Sequence, residues 1–281
     1  MVLGAAGGTG RACVEEILRR ISDPKDKLFG GACRAVCRDP AKLSDLPKHP
    51  RLHIMQGDVT KPEDMARVRR APLPPRPPPC VRRPGRTGPR PPPRPPRPPS
   101  QVIWNADATI FAASGSRGDY WSSAHAVDAL GAYNAAVAAR RNAGRLVLVS
   151  SMLVTYKNYL HPLRVLLNTK ARWRLMDAKA RGERYVRGTG VDYCIVRPGG
   201  LTDREGGEGL RVTQGDWFHR LGMVSRRDVA ALCVEAMVST DASHRTLEVA
   251  GKPGTRRGPG EMAAALKLTR RDALFGLLPL W

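Results

Sequence analysis

The feature that most constrains this chain is the run Val2-Leu3-Gly4-Ala5-Ala6-Gly7-Gly8-Thr9-Gly10-Arg11, where a short apolar strand meets glycines spaced three apart and then an amphipathic helix. Gly4 permits a tight turn out of the strand, Gly7 lets the backbone approach a pyrophosphate, and Gly10 lets the helix pack close to a sheet. Val14, Ile17, Leu18 and Ile21 follow the i, i+3, i+4, i+7 spacing of one buried helix face. The start of that helix, with Gly8 and Thr9, offers unpaired N–H groups and a positive dipole end to phosphate. A lone glycine triplet is a weak signal. With strand and helix on its flanks, it predicts dinucleotide binding.

The alternation continues down the chain. Apolar runs at Val2 to Leu3, Cys33 to Cys37, Leu52 to Met55, Ala108 to Ala112, Leu146 to Val149, Tyr193 to Val196 and Thr246 to Val249 read as strands with helical patterns between them. An alanine-rich helix is expected over Ser122 to Arg140. Another carries Val229, Leu232, Cys233 and Ala236 behind a Ser225-x-x-Asp228 start. The fold class that follows is α/β: a doubly wound parallel Rossmann sheet with helices on both faces. Residues 1–70 and 101–250 are assigned to it, and residues 251–281 to a C-terminal extension. Only three residues precede Gly4, fewer than the five or six of a usual parallel strand, so the sequence reads as one that begins inside its first strand.

Residues 71–100 interrupt the pattern with 15 of the 25 prolines, seven arginines and no acidic residue. Such a composition reads as a disordered insert rather than part of a packed core. It supplies +7 of the formal charge of +22. The remaining charge is spread along the chain without aromatic interleaving, which argues against nucleic-acid binding. No run approaches a membrane span. The six cysteines, Cys13, Cys33, Cys37, Cys80, Cys194 and Cys233, form no CxxC pair. Buried thiols in a reducing compartment are the better reading, and no metal site is expected.

The choice of dinucleotide depends on the end of the second strand, where an acidic residue would bind the adenosine ribose diol. The sequence there is Cys37-Arg38-Asp39-Pro40. Arg38 matches a 2′-phosphate, so NADP(H) is preferred over NAD(H), although Asp39 would serve NAD in a shifted register. Arg11 is a second candidate cation. Asp58 and Val59 after the third strand can meet adenine, and Asp58 can equally cap the next helix. Ala112 and Ala113 supply small residues under the cofactor.

The chain resembles the atypical short-chain dehydrogenase/reductases of the NmrA-like, NAD(P)-binding kind found in plants, algae and cyanobacteria. The resemblance rests on Gly4 to Gly10, Arg38-Asp39-Pro40-Ala41-Lys42, Gly57-Asp58-Val59, Val149-Ser150-Ser151, Lys179 with Glu183, Val196-Arg197-Pro198-Gly199-Gly200-Leu201 and Ser225-Arg226-Arg227-Asp228-Val229-Ala230. It implies NADP across the carboxyl edge of the sheet and a small C-terminal substrate region. It also implies that Ser150 or Ser151 polarises a carbonyl and that Lys179 binds the nicotinamide ribose. Pro198, Gly199 and Gly200 would lie near the nicotinamide. The usual Tyr four residues before the Lys is Leu175 here, which cannot donate a proton. Tyr156 and Tyr159 stand nearby in sequence without a Lys at i+4. An i, i+4 pair with Glu183 is the alternative role of Lys179.

Two functional readings remain open: an NADPH-dependent oxidoreductase on a small carbonyl, enone or quinone-like acceptor, and a non-catalytic NADP(H)-binding sensor or assembly factor with a protein partner. The resemblance points to a plastid, yet no Ser-rich, acid-poor transit peptide is visible, and cytoplasm is the alternative. The insert generates a test. Replacing residues 72–100 by a short Gly-Ser linker should leave NADPH affinity and thermal midpoint nearly unchanged, because loop-closure cost varies slowly with length. A large fall in either would mean that the segment packs on the domain.

Overall fold

The computed structural model describes residues 1–67, 107–115, 120–142, 144–171, 174–217, 221–258 and 260–272. The expected insert at 71–100 lies outside them. The strands are β1 (Val2–Leu3), β2 (Cys33–Cys37), β3 (Leu52–Gln56), β4 (Ala108–Phe111), β5 (Arg145–Val149), β6 (Asp192–Pro198), β7 (Gly200–Thr202), β8 (Glu208–Thr213), β9 (Met223–Ser225) and β10 (Arg245–Arg256). The helices are α1 (Gly8–Ser22), α2 (Pro62–Arg67), α3 (Ala132–Arg141), α4 (Pro162–Leu166), α5 (Leu175–Gly188), α6 (Arg226–Val238) and α7 (Glu261–Leu268). The expected alanine-rich helix is present, but its first half, Tyr120–Gly131, winds as a π-helix before α3. The boundary expected at residue 250 falls inside β10.

The main sheet has the order β3-β2-β1-β4-β5-β6-β10-β8 and is parallel except for β8, which runs antiparallel to β10. This is the doubly wound Rossmann arrangement. Strand order reverses between β1 and β4, and in such sheets a crevice for ligands opens outside the carboxyl ends at that point. A separate parallel pair, β7 with β9, flanks the main sheet.

Side chains alternate between two cores because successive strand residues point to opposite faces. Val2, Ile110, Val147, Val149, Cys194 and Val196 join α1 and α6 in one core. Leu3, Phe111, Leu146, Leu148, Tyr193 and Ile195 join α3 and the end of α5 in the other. Both faces of the strands are therefore covered, which explains why they read as continuous apolar runs. The four α1 residues picked out by periodicity are all buried, and each contributes about 1.5–3 kcal/mol of transfer free energy.

Two close approaches hold the helices in place. A Cβ on Gly10 would overlap the Gly4 carbonyl oxygen, and Gly4 itself, at φ 79°, sits against the Ala112–Ala113 backbone. On the other face, a Cβ on Gly182 in α5 would overlap the Asp128 carbonyl oxygen of the π-helical segment. Gly182→Ala should accordingly cost about 1–3 kcal/mol in chemical denaturation through overpacking. Unchanged stability would contradict this helix contact.

Candidate functional site

The loop between β1 and α1 has the form of an open anion seat. Gly7 and Gly8 are exposed, Thr9 and Gly10 are buried, and α1 has neither a side-chain cap nor an acidic residue in its first turn. The loop is shaped by Gly4 N–H and Ala5 N–H donating to Val36 O and by Gly7 N–H donating to Gly4 O. The first helical N–H groups thus open toward the carboxyl edge without an acidic partner among the described residues, an arrangement that suits a phosphate.

At the end of β2, the Arg38 side chain is exposed and makes no hydrogen bond or ion pair with another described residue, while its carbonyl accepts from Gln56 Nε2 at 3.1 Å. Asp39 turns inward on its own chain, where its carboxylate accepts from Ala41 N–H at 3.2 Å and starts a 3-10 turn. Arg11 is engaged elsewhere: Nη1 meets Asp45 Oδ2 at 2.6 Å and Nη2 donates to Lys42 O at 2.7 Å. It braces the loop that carries Arg38 and Lys42.

Asp58 holds its carboxylate on its own loop. Its Oδ1 accepts from Thr60 N–H and Oγ1 at 2.9 Å each, and its own N–H donates to Asp64 Oδ2. Val59 packs its side chain toward Gly131, and its carbonyl accepts from Asn134 Nδ2. Ala112 and Ala113 are half-buried at the end of β4, directly against Gly4.

Beneath the exits of β5 and β6 lies a buried ion cluster. Glu183 accepts from Arg197 Nε at 2.9 Å and Nη2 at 2.6 Å, from Arg187 Nη1 at 3.2 Å and from Ser150 Oγ at 2.6 Å. Arg197 Nη1 reaches Glu248 Oε1 at 3.2 Å. Burial alone would raise the Glu183 carboxyl, but Arg197, with Arg187 and the Ser150 hydroxyl, pulls it down to about 2. Burial pushes Glu248 up to about 7 against the smaller opposing effect of Arg197. Ser150 is therefore a buried donor to Glu183. Ser151 is half-buried, and its hydroxyl makes no bond with another described residue.

Lys179 does not pair with Glu183, the alternative that its i, i+4 spacing allowed. Its Nζ meets Asp128 Oδ1 at 2.8 Å, and Asp128 Oδ2 accepts from Gly115 N–H at 2.7 Å. The ammonium is thereby fixed beside the loop that leaves β4. Leu175, at the place of the usual tyrosine, is buried. Tyr156 and Tyr159 are 55% and 64% exposed on the loop after β5. That loop is pinned by Asp216, whose Oδ1 and Oδ2 accept from Leu153 and Thr155 N–H at 2.7 and 2.8 Å.

The glycines after β6 have a reason the sequence did not give. A Cβ on Gly199 would overlap Gly222 O, and one on Gly200 would overlap Met223 Sδ. They admit the strand pair β7–β9, while Pro198 O accepts from Met152 N–H at 3.0 Å. Asp128 and Asp216 were not singled out from sequence, and Arg226 entered only within the Ser225 to Ala230 motif, with no role of its own. Asp128 had a legible signal, being the sole acidic residue in the Ser122 to Arg140 helix. Asp216 had none.

Among the described residues there is no cluster of three or more His, Cys, Asp or Glu that could hold a metal, and no helix is long and apolar enough to cross a membrane. Cys13, Cys33, Cys37, Cys194 and Cys233 are free and buried. Burial pushes the Cys33 and Cys194 thiols up to about 11 and about 12, away from reactive thiolate.

Comparison with known proteins bears on the family and the fold. The family described as NAD(P)H-binding matches residues 4–70 and 100–240, and the chain belongs to it. The chloroplastic Arabidopsis thaliana protein At2g34460 is 26% identical over 277 residues, covering 95% of this chain and 81% of that protein. Sanguinarine reductase of Eschscholzia californica is 31% identical over 104 residues, 36% of this chain and 37% of that enzyme. Among solved structures, the anaerobillin reductase ChuY of Escherichia coli O157:H7 superposes with a TM-score of 0.61 at 18% identity, covering 92% of this chain and 98% of that one, a likeness of fold. The chain is thus a member of an NAD(P)H-binding family with a Rossmann fold.

The ion cluster generates a pH prediction. A carboxyl whose pKa rises on folding stabilises the fold fully below its ordinary value, 4.5 for Glu248, and that contribution is lost as pH climbs through about 7. Glu248→Gln keeps an acceptor for Arg197 and removes the titration. Between about pH 5 and about pH 8 the wild type should lose up to about 3 kcal/mol relative to the variant. A difference in denaturation free energy that stays constant over that range would contradict the buried, unionised Glu248.

Proposed function

We propose that the protein is an NADPH-dependent reductase of a small carbonyl, enone or quinone-like acceptor. The observation that carries the cofactor preference is the exposed Arg38 guanidinium at the end of β2, which pairs with no described residue, beside an Asp39 carboxylate that accepts from its own turn. A guanidinium placed there favours a 2′-phosphate, and the neighbouring Asp39 carboxylate holds its own turn through Oδ1. The residues fit a dinucleotide: the Gly8 and Thr9 amides for the pyrophosphate, Asp58 at the adenine end, and Ala112 and Ala113 as the floor.

The bound cofactor would supply a hydride to the electrophilic carbon of the acceptor. The chain's own part is to hold the acceptor and provide a proton to its oxygen. Ser150 is committed to Glu183, so Ser151 Oγ–H is the hydroxyl free to polarise that oxygen. Lys179 Nζ, oriented by Asp128, bonds the ribose and carries the transferable proton, which water then replaces. The chloroplastic name of the Arabidopsis relative supports a plastid location.

The second reading, a non-catalytic NADP(H)-binding protein, is favoured by the buried Leu175 where the acid would stand. One set of measurements separates the possibilities. NADPH and NADH titrations should show tighter NADPH binding, with Arg38→Ala costing about 1.5–3 kcal/mol of NADPH affinity and little for NADH. NADPH oxidation with a carbonyl and quinone panel should show turnover. Equal affinity for both nucleotides would sink the NADP assignment; tight binding without turnover on any acceptor would favour the sensor.

A further inference from the structure

Gly8 falls outside the three-apart series of the loop, and its φ lies outside the left-handed region, so neither the turn nor the helix packing requires a glycine there. What lies over it comes from α6. Arg226, the first residue of that helix, lays its side chain across Gly8: a Cβ at that position would stand 2.9 Å from Arg226 Cδ and 3.0 Å from Nε. The guanidinium continues past the loop to Asp203, with Nη1 at 2.6 Å from Oδ1. Its root is held firmly, since Ser225 Oγ accepts from Arg227 N–H and α6 packs along α1 through Val229, Leu232 and Cys233. Two helices therefore start side by side at the same sheet edge, one with open amides and the other with an arginine lying over them.

We infer that Arg226 is an arm that binds the pyrophosphate of the dinucleotide from the side opposite the α1 amides. The inference rests on the cofactor reading above and adds a residue that neither the glycine spacing nor the Arg38 position implies. Arginine suits the task, because its planar fork donates to two phosphate oxygens at once. Its present partner is weak: the Asp203 side chain is 86% exposed, and exposed pairs stabilise little. A diphosphate seated at Gly7 to Thr9 offers more charge at closer range, so the guanidinium can turn from Asp203 to the ligand at small cost. Until then Asp203 keeps the arm extended over the loop.

The test uses the full chain and three probes in calorimetric titrations: NADPH, ADP-ribose (a diphosphate without a 2′-phosphate) and 2′-AMP (a 2′-phosphate without a diphosphate). Arg226→Gln should weaken NADPH and ADP-ribose by about ten- to hundredfold, the range for a hydrogen bond to a charged group, and leave 2′-AMP and the thermal midpoint unchanged. Arg226→Lys should recover part of the loss. Arg38→Ala should do the reverse, weakening 2′-AMP and sparing ADP-ribose. If Arg226→Gln binds ADP-ribose within about twofold of the wild type, the arm is refuted while the cofactor reading stands. A wild-type chain that binds neither NADPH nor ADP-ribose would overturn the cofactor reading and the arm with it.

Discussion

The contact on which the site depends is the one between Gly10 of α1 and the Gly4 carbonyl at the end of β1. With no side chain at either residue, the helix sits directly on the strand, and its first amides come level with the carboxyl edge of the sheet. The apolar stripe Val14, Ile17, Leu18 and Ile21 fixes the rotation of α1, and α6 docks against it through Val229, Leu232 and Cys233. Arg226 stands at the front of α6, so the same packing that seats α1 also brings a cation to the glycine loop. A side chain at position 10 would therefore disturb more than one turn.

The second constraint is charge burial. Glu183, Arg197 and Glu248 lie between the ends of β5, β6 and β10, and burying an unpaired charge there would cost several kcal/mol. Ser150 and Arg187 complete the coordination of Glu183. This ties the Ser150 hydroxyl into the cluster, and under the proposed reductase reading Ser151 and Lys179 are the polar groups left for chemistry. The Lys179–Asp128 pair does the same on the neighbouring side, tying the loop after β4 to α5. With Leu175 in the tyrosine position, the lysine is oriented by a carboxylate from another helix.

The sequence made legible what depends on local periodicity. β2 runs Cys33–Cys37 as the apolar pattern indicated, and the buried face of α1 was readable residue by residue. The Ser225 cap was readable as well, although Asp228, expected to complete it, accepts from Gly207 N–H and pairs with Arg257 instead. Long-range partners were not readable. Glu183 at i+4 was the natural partner for Lys179, yet Arg197 occupies that carboxylate across 14 positions and Asp128 takes the lysine. Gly199 and Gly200 suggested an approach by ligand, whereas Gly222 and Met223 make the close approach. β8 and β9 carry short mixed patterns, and their pairing depends on β10 and β7, which no local window contains.

The central claim is that the amides opening α1 receive a dinucleotide phosphate. Hydrogen exchange followed residue by residue, with and without saturating NADPH, addresses it directly. Slowed exchange is expected at Gly8 and Thr9 on binding, with the interior of α6 unchanged. NADPH binding that leaves those two amides exchanging at their free rate would contradict the claim.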